Sequence, residues 1–119
     1  MTKAKLREVE LRWRKAIEKA LKMGILVVPN RAMVGLDGTG VGLNGYLKEC
    51  SSGICAIGAM VLGVVGNPAH HNNFVADILG VSIYDVNAVE SGFEGWKADL
   101  TDDRKELFKL GQRLREDYV

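Results

Sequence analysis

Residues 72–92 read NNFVADILGVSIYDVNAVESG. Two short apolar-periodic segments meet at Leu79-Gly80-Val81-Ser82, a spacing that predicts a helix, a tight turn and a second helix. Asn72 or Asn73 is a candidate cap for the first helix. Ser82 caps the second, with Asp85 three residues on as a shorter version of the capping-box acid. Ala76 allows close helix approach, Gly80 supplies a left-handed turn, and Val86 and Val89 pack the second helix onto the first.

Upstream of this pair, Ile54 to Val65 is apolar all round (Ile54, Cys55, Ile57, Met60, Val61, Leu62, Val64, Val65). A helix without a polar face must be enclosed, so this segment is expected at the centre of the fold. The unbroken run Ile54 to Gly66 is 13 residues; a membrane span needs about 20, so no membrane association is expected. Lys48 to Gly53 reads as a connector in which Ser51 or Ser52 caps the next helix, and Asn67-Pro68 is a break.

Residues 4–23 form an amphipathic helix. Leu6, Val9, Trp13, Ala16, Ile17 and Ala20 make one apolar stripe, and Glu8–Arg12, Glu10–Arg14 and Glu18–Lys22 stand four apart with the acid first. Gly24 is a natural stop. Ile25 to Pro29 is a short β-prone run. In Met33 to Gly45, MVGLDGTGVGLNG, alternating apolar residues flank the turn dipeptide Asp37-Gly38, which predicts a small hairpin. A phosphate cradle is the other reading of so many glycines, but neither phosphate-loop spacing is present. Beyond Gly92, Phe93-Glu-Gly-Trp96 is compact and aromatic. A last helix runs from about Asp103 to Tyr118, with Asp103 and Glu106 fitting a capping box and Leu107, Leu110, Leu114 and Tyr118 as its buried stripe.

The chain is 119 residues long, 47% hydrophobic and 26% charged, with a net charge of +1. These values predict one globular domain, with no strong overall pull toward nucleic acid or acidic membranes. The first 22 residues lead into a charged segment and carry no secretory signal pattern, so Cys50 and Cys55 are expected as reduced thiols in a cytoplasmic protein. The charge is unevenly placed. Residues 1–22 hold eight Lys/Arg against three Glu, whereas Glu49 to Trp96 contains no Lys or Arg and five acids, Glu49, Asp77, Asp85, Glu90 and Glu94.

The pair resembles the helix-turn-helix of lambda-repressor-like (Xre-type) regulators. Ala76, Leu79-Gly80-Val81-Ser82, Val86 and Val89-Glu90-Ser91-Gly92 stand where that family has an Ala, a Leu-Gly-Val-Ser turn, an apolar position and an Ile/Val-Glu-x-Gly. The resemblance covers about half of the chain. It implies a helical bundle in which the segment 54–65 and Leu107–Leu114 flank the pair, and a second helix that reads DNA through Tyr84 and Asn87, with Arg7 and Arg14 of the first helix on phosphates. The charge distribution opposes this, because the pair itself carries no cation and three acids. More loosely, Cys55-Ala-Ile-Gly-Ala with Gly92 to Gly95 resembles small phage and prophage proteins that lack an assigned function, which implies an accessory protein acting on another macromolecule.

Two chemical readings are weaker. Cys55 near a helix start, with His70 or His71 as base, is the only nucleophilic arrangement, but it sits in the most apolar segment, where thiols are inert packing. Cys50, Cys55, His70 and His71 have poor spacing for zinc. No catalytic residue, metal or cofactor is expected. The expectation is therefore a mainly α protein, a small helical bundle with a helix-turn-helix-like pair and a short β-hairpin. It acts as a non-enzymatic protein-interaction module that contacts a protein partner through Asp77, Tyr84, Asp85, Asn87, Glu90, Phe93 and Trp96. The basic first helix opposite this acidic surface would also permit a homodimer. A DNA-binding regulator is the alternative.

Overall fold

The computed structural model describes residues 1–29, 54–61, 71–98 and 100–119. The expected hairpin around Asp37-Gly38, the caps at Ser51 or Ser52, Cys50, the 62–65 part of the apolar helix, the break at Asn67-Pro68 and His70 lie outside the described residues, as do the side chains of His71 and Asp103.

The protein is mainly α. Five helices are described: α1 Lys3–Lys22, α2 Ala56–Met60, α3 His71–Leu79, α4 Ile83–Glu94 and α5 Asp102–Tyr118. The most extensive packing is between α4 and α5; α2 lies against α1, α3 and α4, and α1 also touches α5.

α1 forms where the 3.6-residue stripe places it. Thr2 caps its start by accepting the Lys5 N–H, and Val9, Trp13, Ile17 and Ala20 are its buried face. Gly24 follows in the left-handed region at φ 79°. Trp13 and Ile17 are fully enclosed, and truncating an aromatic of this kind to Ala costs about 3–5 kcal/mol. The β-prone run after α1 makes a single parallel bridge between Val27 and Ile54. It is held by Val28 N–H to the Ile54 carbonyl and Ile54 N–H to the Leu26 carbonyl, each 2.8 Å.

That bridge moves one expected boundary. The apolar helix begins at Ala56, because the backbone of Ile54 is spent on Val27 and Cys55 occupies the capping position. Its central placement holds: Ile54, Cys55, Ala56, Ile57, Ala59 and Val61 are all buried.

The turn between α3 and α4 follows from local signals. Gly80 takes φ 65°, and Ser82 and Asp85 make a reciprocal capping box, with Ser82 Oγ accepting the Asp85 N–H and Asp85 Oδ2 accepting the Ser82 N–H. Val75, Ala76, Leu79, Val86 and Val89 are buried. Two caps fall elsewhere than expected. α3 starts at His71, so Asn72 and Asn73 are inside the helix. α5 starts at Asp102, so its capping position is Thr101 and not Asp103.

α4 and α5 approach backbone to backbone. A methyl built on Gly111 would stand 2.7 Å from Phe93 N and 3.0 Å from Gly92 Cα, and closer still to the Val89 carbonyl oxygen; one on Gly92 would run into the Phe108 carbonyl. Only two glycines facing each other allow this separation. Leu107, Leu110 and Leu114 of α5 are buried beside the crossing. Ion pairs join α1 to α5: Glu10 accepts from Arg14 Nε and from Arg113 Nη2, both at 2.9 Å, and Arg14 Nη1 reaches Asp117 Oδ2 at 2.8 Å. Burial alone would push the Glu10 carboxyl up, but the hydrogen bonds from Arg113 and Arg14 outweigh it and hold the group below its usual range.

Candidate interaction surface

Gly95 ends α4 in the left-handed region at φ 78°, its N–H and that of Trp96 both turning back to the Ser91 carbonyl. The chain then runs beside α4 before entering α5. Tyr84, Asn87 and Ser91 recur at helical spacing along the outer face of α4, with the buried Ala88 at the floor between them. Together with Ala98, Leu100 and Arg104 they line a groove of about 230 Å³. The face expected to meet a partner is therefore one wall of a concavity rather than a bare ridge.

The expected contact residues divide by register. Tyr84 is 65% exposed and Trp96 50%. The Arg104 guanidinium lies 5.4 Å from the centre of the Tyr84 ring, a cation–π contact that holds the ring at the groove edge. Asp77 is exposed on α3. Phe93 is fully buried and cannot touch a partner, because it continues the core stripe of Val86 and Val89 on the opposite side of α4. Asp85 is committed internally, with Oδ2 on the Ser82 N–H and Oδ1 3.4 Å from Arg104 Nε.

Asn87 and Glu90 sit between α3 and α4. The Asn72 amide donates to Asn87 Oδ1 at 2.7 Å and to Glu90 Oε1 at 3.2 Å. Asn72 is thus an interhelix clamp rather than a cap. Burial pushes the Glu90 carboxyl up; the Asn72 hydrogen bond opposes this and the neighbouring Glu94 charge adds to it. Of the two expected phosphate contacts, Arg7 is exposed. Arg14 is not free for that role, being held by Glu10 and Asp117 and lying 5.7 Å from the Tyr118 ring centre.

Cations missing from the pair in sequence are brought to it by packing. Arg12 Nη1 donates to the Ile78 carbonyl at 2.7 Å, capping the end of α3. The Lys5 ammonium stands 3.3 Å from where a Cβ on Gly80 would be. Arg104 reaches the start of α4 from α5. Lys5 and Arg12 flank Val9 and Trp13 on α1, so the stripe that buries those residues also delivers both cations to the turn.

Cys55 caps α2, its sulfur accepting the Gly58 N–H at 3.4 Å. Burial dominates its acidity, with that hydrogen bond opposing and the charges of Glu94 and Glu90 reinforcing, and pushes the thiol up to about 11. It is a protonated, enclosed group at neutral pH, the inert packing role. Among the described residues no three His, Cys, Asp or Glu side chains come together to hold a metal, and no helix is long and apolar enough to cross a membrane.

No protein-family model matches the chain, and neither a curated protein nor a solved structure matches it.

Proposed function

We propose that this chain is a non-enzymatic interaction module of accessory type, which docks a protein partner along the outer face of α4. The observation that carries the reading is the groove between Tyr84, Asn87, Ala88 and Ser91 on one side and Ala98 and Leu100 on the other. Tyr84 on the groove and Trp96, two residues past the end of α4, are both exposed, and aromatics of this kind are enriched among the residues that dominate binding energy at protein interfaces. The partner that fits is a protein segment presenting a small apolar side chain to Ala98 and Leu100, with polar backbone groups for the Asn87 amide and Ser91 hydroxyl. An enzyme reading through Cys55 is disfavoured by the high pKa of that thiol.

The test is affinity capture from the source cells with wild type, Tyr84→Ala, Trp96→Ala and the remote control Leu11→Ala. A protein retained by wild type and by Leu11→Ala, and lost from the Tyr84 and Trp96 variants, supports the reading. Equal capture by all four refutes it.

A DNA-binding regulator of the lambda-repressor-like kind is the second reading, favoured by the convergence of Lys5, Arg12 and Arg104 on the turn. Against it, a helix entering the major groove must present a free convex face, whereas the outer face of α4 is walled by Leu100 and the Asn87 oxygen is taken by Asn72. Fluorescence anisotropy on random-sequence duplex as salt is raised decides this reading. Micromolar binding that falls steeply with salt supports it, and no binding at low salt removes it.

A further inference from the structure

We infer that the groove at the Gly80 turn binds a small molecule carrying a phosphate or diphosphate group. This groove is distinct from the α4 face proposed to dock a protein, although Arg104 borders both. It is an open groove of about 680 Å³, a volume within the range of small-ligand sites. Three helices build it: Lys5 comes from α1, Ser82 and Asp85 from the start of α4, and Thr101 and Arg104 from the start of α5, with Val81 and Leu107 as an apolar wall.

Among the described residues, the donors in this groove exceed the acceptors that meet them. Arg104 Nε is buried and makes no hydrogen bond; its nearest carboxylate oxygen, Asp85 Oδ1, is 3.4 Å away. Arg104 Nη1 has only a stretched contact of 3.5 Å to Thr101 Oγ1. A guanidinium carries five N–H donors in a planar fork suited to oxyanions, so the Nη donors, rather than the enclosed Nε, are the ones left for an anion in the groove. Lys5 pairs with Glu8 at 3.2 Å, a surface contact worth little that a multivalent anion displaces readily.

Ser82 Oγ accepts the Asp85 N–H and keeps its own proton to donate. Thr101 makes no capping bond to α5. Asp85 is the opposing charge, but its second oxygen is anchored on the Ser82 N–H at 3.1 Å, and it stands against two cations. The amino ends of α4 and α5 open on the same space and add to Lys5 and Arg104 without replacing them. Val81 and Leu107 would take an apolar or ring portion of the ligand.

The test titrates the full chain with inorganic pyrophosphate at constant ionic strength and follows backbone amides by heteronuclear NMR. Saturable shifts at Gly80 to Asp85 and at Thr101 to Arg104 are expected. Arg104→Gln should weaken binding about tenfold, the loss of one charge-assisted contact. Lys5→Gln should weaken it severalfold, and Lys109→Gln, on the same helix but outside the groove, should leave it unchanged. If Arg104→Gln proves unfolded by circular dichroism, Lys5→Gln on the exposed end of α1 carries the test. The inference is overturned by an absence of saturable shifts, by equal weakening in Lys109→Gln, or by duplex DNA binding at these residues when pyrophosphate does not.

Discussion

The Gly92–Gly111 crossing makes a sharp prediction. In Gly111→Ala the new methyl would lie 2.7 Å from Phe93 N and 3.0 Å from Gly92 Cα, where carbon contacts normally settle at about 3.5–4.0 Å. The obstructing atoms are backbone, so no side chain can rotate away, and relieving the nearest contact, on the Val89 carbonyl oxygen, requires α4 and α5 to separate by about 1 Å. A gap of that size forfeits about a quarter to a half of each dispersion contact across it. Phe93, Leu107, Leu110 and Leu114 all pack at this junction. Overpacking of this kind costs about 1–3 kcal/mol, and the backbone clash places the case at the upper end. Replacing a helical Gly by Ala returns about 1 kcal/mol through propensity.

The net expectation is a loss of about 2 kcal/mol. In urea unfolding followed by circular dichroism, with slopes of about 1–3 kcal/mol per molar, the midpoint should fall by about 1 M. Gln112→Ala, exposed one residue along, should stay within about 0.5 kcal/mol of wild type. Gly92→Ala meets the Phe108 carbonyl and should behave like Gly111→Ala. The double variant should cost less than the sum, because helices already parted accept the second methyl more easily. A Gly111→Ala midpoint at or above that of wild type would refute the close crossing.

Three further outcomes follow from local geometry. Ser82→Ala removes one arm of the capping box and should cost about 1 kcal/mol in the same unfolding assay, whereas an unchanged midpoint would mean that the box contributes nothing. Cys55, with its thiol pushed up to about 11, should resist alkylation in native buffer at pH 8 and react at once in denaturant; rapid native labelling would contradict its burial. Glu90 has a folded pKa raised above the unfolded value near 4.5, so the native state holds the proton more tightly. Its contribution to stability therefore falls as pH rises from the unfolded value through the folded one. Glu90→Gln keeps an acceptor for Asn72 and removes the charge. It should be more stable than wild type at pH 7 and show a flatter stability profile above pH 4.5; an identical profile would sink the assignment.

The sequence disclosed what depends on near neighbours. The stripe Val9, Trp13, Ile17, Ala20 and the box Ser82–Asp85 both stand as read, because each signal lies within one or two helical turns. Gly80 was legible for the same reason. Asn72 reads as a cap in sequence, but the same side chain serves equally well between helices, and only the start of α3 at His71 decides which. Phe93 and Trp96 look alike as a cluster, yet the register Val86, Val89, Phe93 assigns the first to the core, and Gly95 turns the second outward. The pairing of Gly92 with Gly111 and the arrival of Lys5, Arg12 and Arg104 at the turn depend on how separate helices are placed, which no local pattern encodes. The absence of cations from Glu49 to Trp96 therefore understated the positive charge around α3 and α4.

The docking of α5 against both α4 and α1 has a consequence for biosynthesis. The residues that pack on the α1 stripe are not all present until α5 has been translated. About 80 residues separate the end of α1 from the start of α5, and at roughly 5–20 residues per second that interval lasts about 4–16 s. Throughout it the α1 stripe can be covered by α2 but not by α5, so part of an apolar face stays open, the kind of surface that ribosome-associated chaperones hold. Ribosomes stalled before α5 is made should therefore carry a chain sensitive to protease, and emergence of α5 from the ribosome should coincide with the onset of resistance.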